Sequence, residues 1–123
     1  MSAPSKSGEQ EPIHEVWRPT LEAIVTAFVE GDFALSRGIA DVEPTGDRVE
    51  QQRRFFVSSY GETLAPLTDE TWKTSVVRWL GEFWDVIVDL RTVESGRSDL
   101  IVDVRITERE GGYRYTVGII YVP

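Results

Sequence analysis

The run from Val76 to Val122 constrains this chain most, because it alternates apolar and polar residues and is cut by turn residues. Alternation puts successive side chains on opposite faces of a strand, so the run predicts four strands: Val76–Leu80, Phe83–Thr92, Leu100–Glu108 and Tyr113–Val122. The links are Gly81-Glu82, then Glu94-Ser95-Gly96-Arg97-Ser98, then Gly111-Gly112, and links this short join antiparallel neighbours.

Charges suggest the registers. A two-residue turn at Gly81-Glu82 sets Trp79 opposite Trp84, Val77 opposite Val86 and Arg78 opposite Asp85. Trp72, Val76 and Trp79 are also spaced for a helix over 69–80, but this sorting of like with like favours the strand. In the next hairpin, setting Leu90 opposite Val104 pairs Asp89 with Arg105, Arg91 with Asp103 and Asp85 with Arg109. The predicted inner face is then Val77, Trp79, Trp84, Val86, Val88, Leu90, Val102, Val104 and Ile106. Tyr115, Val117, Ile119 and Tyr121 complete it, and Ile87, Ile101 and Ile120 fall on the outer face. A Gly111-Gly112 turn sets Arg109 opposite Arg114, an unfavourable pair that leaves the last register open.

Upstream, Ile13, Trp17, Leu21, Ile24 and Phe28 recur at helical spacing between Ile13 and Glu30. Pro19 either begins this helix or bends it after a start near Pro12; the continuous stripe through Trp17 favours the two-part form. A connector with a short helical turn at Phe33–Arg37 leads to a second helix, Asp47–Tyr60. Asp47 is its expected cap, and Arg53-Arg54 lie on or beside its outer face. The expected fold class is α+β: two N-terminal helices packed on one face of a curved four-stranded antiparallel meander, in a single domain over 12–123. Residues 1–11, rich in Ser, Pro, Gly, Glu and Gln, read as a disordered tail.

Composition narrows the chemistry. The chain has no cysteine, one histidine, and 13 basic against 21 acidic residues, a net charge of −8. The sign disfavours nucleic acid and anionic lipid as partners and suits a basic protein. No apolar run reaches the roughly 18–20 residues that span a bilayer, and no secretory signal is present, so a cytoplasmic setting is expected. His14 alone makes no metal shell and no nucleophile–base set, so no metal, cofactor or catalytic residue is assigned.

Two groups of candidate residues remain. Trp79, Phe83 and Trp84 flank the Gly81-Glu82 turn, where exposed aromatics would form a contact patch, and Arg97 and Asp99 lie in the Gly-Arg-Ser-Asp-Leu loop. A pocket between helices and sheet would instead use Asp32, Tyr60 or Tyr115, with Tyr113 and Tyr121 as further tyrosines in reach, because burial can shift such groups into acid–base work.

Trp84-x-Val86-x-Val88-x-Leu90 followed by Glu94-Ser95-Gly96-Arg97-Ser98-Asp99-Leu100 resembles a family of small uncharacterised bacterial domains with a W-x-V-x-L…E-G-R-S-D-L hairpin. That resemblance implies a fold and no activity. The order of helices and then meander is more loosely similar to the nuclear transport factor two and ketosteroid isomerase superfamily, whose cone-shaped sheet encloses a pocket. The leading expectation is a non-enzymatic protein-interaction module, monomer or homodimer, of immunity or adaptor type, that binds a basic partner. The alternative is a small-molecule binder or a cofactor-free isomerase or hydrolase.

Overall fold

The structure, a computed structural model, describes residues 2–123. Its strands are β1 (Glu11–Pro12), β2 (Leu64–Ala65), β3 (Val76–Trp79), β4 (Trp84–Thr92), β5 (Gly96–Arg109) and β6 (Gly112–Tyr121). Its helices are α1 (Arg18–Val29), α2 (Asp47–Tyr60) and the single turn α3 (Thr71–Thr74). The chain is α+β, with one antiparallel sheet of six strands in the order β1-β3-β4-β5-β6 and β2 beside the far half of β4. The four expected strands lie in the expected order; the two that sequence missed are two-residue pairings with no alternation to reveal them.

The β3–β4 register is the expected one, with Val77 opposite Val86, Arg78 opposite Asp85 and Trp79 opposite Trp84. The helical spacing around Trp72 survives only as α3. In the next hairpin Val88 faces Val102 instead of Ile106, a slip of four residues. The slip keeps a single opposite-charge pair, Asp85 with Arg105; Asp103 now faces Ile87, Asp89 faces Ile101 and Arg91 faces Arg97, so the charge row that suggested the register is given up. The expected register ends its ladder near Arg91 and Asp103 and leaves a longer loop beyond them. The observed one closes a tight turn between Thr92 and Gly96 and extends the ladder, so Arg97, Ser98 and Asp99 are strand residues and not a loop. A slip of an even number of residues keeps each side chain on its face, so the inner face stays apolar.

The β4–β5 ladder is irregular between Asp89 and Arg91. Ser98 fills the gap: its hydroxyl donates to Leu90 O at 2.8 Å and accepts from Leu100 N at 3.1 Å. A second bulge, where β5 meets β6 between Val102 and Val104, turns the end of β6 over. Ile120 therefore enters the core and Ile119 turns outward, a correction to the expected inner face, which also assigned Tyr121 inward. Gly118 sits at this bulge because a Cβ there would stand 3.0 Å from Asp103 O. The turn into β6 is Glu110-Gly111, one residue earlier than expected. It sets Arg109 opposite Gly112 and Arg114 opposite Thr107, which separates the two arginines.

The first helix takes the two-part form, a 3-10 turn at Glu15–Trp17 followed by α1 with Pro19 in its first turn. Gly31 N and Asp32 N donate to Phe28 O and Ala27 O and close its end. Trp17, Leu21, Ile24, Val25 and Phe28 are buried against Trp84, Val86, Val88, Leu90, Val102, Val104 and Ile106. The connector forms no helical turn at Phe33–Arg37; it is tied to β6 by Glu43 N to Tyr115 O at 2.8 Å and Tyr115 N to Asp41 O at 2.9 Å. Gly46, not Asp47, takes the N-cap position of α2.

In α2 the one fully buried residue is Arg53, placed by sequence at the outer face. Its guanidinium donates to Gly118 O (2.8 Å), Val117 O (2.7 Å), Phe33 O (2.6 Å) and Thr45 Oγ1 (3.0 Å). Burial pushes its pKa down to about 10, so it remains charged at neutral pH. Gln52 donates to Ile120 O at 2.7 Å and accepts from Ile120 N at 3.2 Å. Strand β6 is the edge of the sheet, and its outward carbonyls need partners. The side chains of α2 supply them, so this helix closes the edge while Phe56, Val57 and Tyr60 pack half-buried against the core.

Candidate functional site

At the end of the sheet where β3 turns into β4, aromatic residues from β3, β4, β6 and the 3-10 turn gather. Trp79 and Trp84 have ring centroids 4.7 Å apart, Trp84 and Trp17 are 5.0 Å apart, and Tyr113 lies edge-on to both Trp17 and Trp84. The cause is local. The β3–β4 register sets Trp79 beside Trp84, and the 3-10 turn delivers Trp17 onto them. Trp84 and Trp17 are buried, whereas Trp79 is half-exposed. The Trp17 indole N–H has no hydrogen-bond partner. Phe83 faces away, with the Arg105 guanidinium 4.4 Å above its ring, so it joins the outer sheet face and not this corner.

The segment before β1, read from composition as a disordered tail, lies across the corner as a strap. Trp84 Nε1 donates to Ser5 O at 2.8 Å. His14 Nδ1 accepts from Val16 N, so its Nε2 carries the proton and donates to Ser2 O at 2.8 Å. Lys6 Nζ stands 4.9 Å from the Trp79 ring centre and 5.7 Å from that of Trp84, and pairs with Glu108 at 2.5 Å. A cation over an indole face is attracted by the ring quadrupole, by roughly 0.5–1 kcal/mol at an exposed site. Beneath the strap, Ser2–Ser5, Pro12, Trp17, Val77 and the two tryptophans border a partly open cavity of about 140 Å³.

Arg97 and Asp99 lie at the other end of the β4–β5 hairpin and do not join the aromatic corner. Arg97 reaches Asp89 at 3.9 Å, and the Asp99 N–H donates to the Tyr60 hydroxyl at 3.2 Å. With Ile101, Val122 and Pro123 they border an open trough of about 600 Å³.

The pocket candidates do not converge. The Asp32 carboxylate accepts from Ser36 N, Ser36 Oγ and Arg37 N, and these donors, led by the Ser36 N–H, hold its pKa below the usual range. Tyr60 is at the end of α2, and Tyr115 is buried on β6 near Thr20 of α1, its pKa raised by burial. Tyr113 belongs to the aromatic corner, and Tyr121 belongs to the outer face, near Asp85 and Asp103. On that face burial, then the neighbouring Asp85 carboxylate, raises the Asp103 pKa to about 6, and Asp103 Oδ1 is buried without a partner.

Sequence reasoning missed Lys6, His14 and Glu108 as parts of one site. A lone lysine in a polar tail and a lone histidine at its end carry no periodic signal, and the pairing of Lys6 with Glu108 spans most of the chain.

By fold and site the molecule is an α+β domain with one helix under its sheet, one along the β6 edge, and an aromatic corner at the end of the sheet where β3 turns into β4. The chain belongs to the family described as Domain of unknown function (DUF7668), whose model matches residues 25–123. The matched region holds Trp79, Trp84 and Glu108; the strap, His14 and Trp17 precede it. No curated protein and no solved structure matches the chain, and the likeness to the nuclear transport factor two superfamily gains no support from that search. No helix among the described residues is long and apolar enough to cross a membrane.

Proposed function

We propose that the chain is a protein-interaction module, of adaptor or immunity type, whose contact site is the corner formed by Trp79 and Trp84 with Glu108 at its lip. The observation that carries this reading is the peptide segment already seated there: a backbone carbonyl on the Trp84 indole and a lysine between two tryptophans and a glutamate. Tryptophan is among the side chains that most often anchor protein interfaces, and here Trp79 is partly exposed while Trp84 lies buried beneath the strap; a net charge of −8 supports a basic partner. The small-molecule alternative has less support. Asp32, Tyr60 and Tyr115 point to separate partners; the cavity under the strap, about 140 Å³, is small against the roughly 300–1,000 Å³ of ligand pockets, and the larger trough beside Arg97 and Asp99 is open and bordered by none of the three.

The test is photo-crosslinking in cells from a reactive amino acid placed at Trp79, with the same group at Phe55 as control; Phe55 is 72% exposed on α2. The expected result is a discrete partner joined from position 79 and not from 55, with a basic peptide at the junction. Identical cross-links from both positions, or junction peptides without positive charge, would overturn the reading.

A further inference from the structure

We infer that the N-terminal strap is a built-in stand-in for the partner: the corner takes an extended segment presenting a lysine to Trp79, Trp84 and Glu108, and strap and partner compete for it. This rests on the interaction reading above and names the chemistry of the partner.

The strap's contacts divide into two kinds. Those at Ser2 and Ser5 are made to backbone carbonyls, by His14 Nε2 and Trp84 Nε1, and any residue can provide a carbonyl. The contact at Lys6 is made by a side chain, and there the corner offers two indole faces and a carboxylate. Selection therefore falls on one position, a cation directly after the carbonyl that Trp84 holds. Spacing matters as well: the two carbonyls are three residues apart, with Ala3-Pro4 between them. Proline disfavours helix in the residue before it and has a fixed φ of its own, so this stretch is held extended before it binds. The description that follows is an extended segment, kept open by proline or by its surroundings, with lysine at its end.

The strap holds its place weakly enough to be displaced. Residues 2–10 form no helix or strand, and both ends of the Lys6–Glu108 pair are about half exposed, at 47% and 54%. Exposed ion pairs of that kind contribute little and weaken with salt. What favours the strap is covalent attachment through Glu11-Pro12, which pairs with β3 and keeps the local concentration high.

The experiment follows the indole N–H signals by NMR in the full-length chain, which has four tryptophans. Lys6→Glu sets like charges together at Glu108 and should shift the Trp84 indole signal away from its wild-type position. A free peptide with the sequence of residues 2–9, added at millimolar concentration, should return it. The same peptide with alanine for lysine should fail, as should the original peptide on Lys6→Glu/Trp79→Ala. Wild type should need at least threefold more peptide for the same occupancy.

An indole signal indifferent to Lys6→Glu would overturn the inference, and so would a peptide response that survives loss of the lysine or of Trp79. If cross-linking from position 79 finds a basic partner while the peptide does nothing, the interaction reading stands and the mimicry falls. If neither responds, both fall.

Discussion

The two edges of the sheet solve the same problem in opposite ways. Along β6, outward carbonyls are satisfied from inside the protein: Arg53 and Gln52 reach Val117, Gly118 and Ile120, and the guanidinium is fully buried. At the β3 edge the cover is two residues of β1, and the strap that leads into them crosses the end of the sheet with exposed contacts that reach Glu108 on β5. A buried arginine withdrawn from its carbonyls would be left desolvated and unpaired, so the β6 edge opens only when the fold is lost. A half-exposed lysine withdrawn from an indole returns to water at little cost. One edge is closed as a condition of folding, and the other is closed by something that can leave. This contrast supports the aromatic corner as the proposed interaction site.

The largest break in the contrast should come from Arg53→Met. It fills much of the space and donates nothing, which leaves the carbonyls of Phe33, Val117 and Gly118 unpaired. The expected cost is about 3–5 kcal/mol by urea unfolding, with a fall in Tm of roughly 10–20 °C. A cost below about 1 kcal/mol would mean the edge is not held this way. Next, Gly118→Val should cost about 1–3 kcal/mol, because its Cβ would meet the Asp103 backbone at the bulge that aims the carbonyls at Arg53.

A smaller effect of opposite sign is expected at Asp103, across that bulge from Gly118. Its folded pKa is raised from 3.8 to about 6 by burial and by Asp85. Its stabilising contribution is therefore full below pH about 4 and lost as pH rises through 6. Asp103→Asn should remove that loss, raising stability at pH 7.5 by about 1 kcal/mol once screening of a half-buried group is allowed for, and flattening the profile between pH 4 and 7. Unfolding curves for both chains across that range check it. The smallest change in stability belongs to Lys6→Ala, below about 0.5 kcal/mol, together with a clear shift of the Trp84 indole signal. A stability loss as large as that of Arg53→Met would erase the distinction between the edges.

What could be read from sequence follows the same division. Strands β3 and β4 were legible in place and register because a Gly-containing turn, an apolar pair and a charge pair all point to one alignment. The β4–β5 slip was not, since charge pairing pointed to the other alignment and the observed one keeps only Asp85 opposite Arg105; the tight turn at 93–95 and the bulge clipped by Ser98 set it instead. Ile120 entered the core through a bulge that alternation cannot announce. Arg53 was unreadable because a charged residue on a helix is ordinarily solvated, and only the edge carbonyls that receive it make burial tolerable. In the corner, Trp79 and Trp84 were legible as neighbours, whereas Lys6 and His14 lie in a polar segment that has no period.

Native-state hydrogen exchange compares the two edges in one experiment, through the Trp84 indole N–H bound to Ser5 O and the Ile120 backbone N–H bound to Gln52 Oε1. The account predicts that the indole exchanges ~100-fold faster or more, at a rate indifferent to low denaturant, while Ile120 exchanges only through an opening that denaturant strongly promotes. Equal protection at the two sites, with the same denaturant dependence, would contradict it.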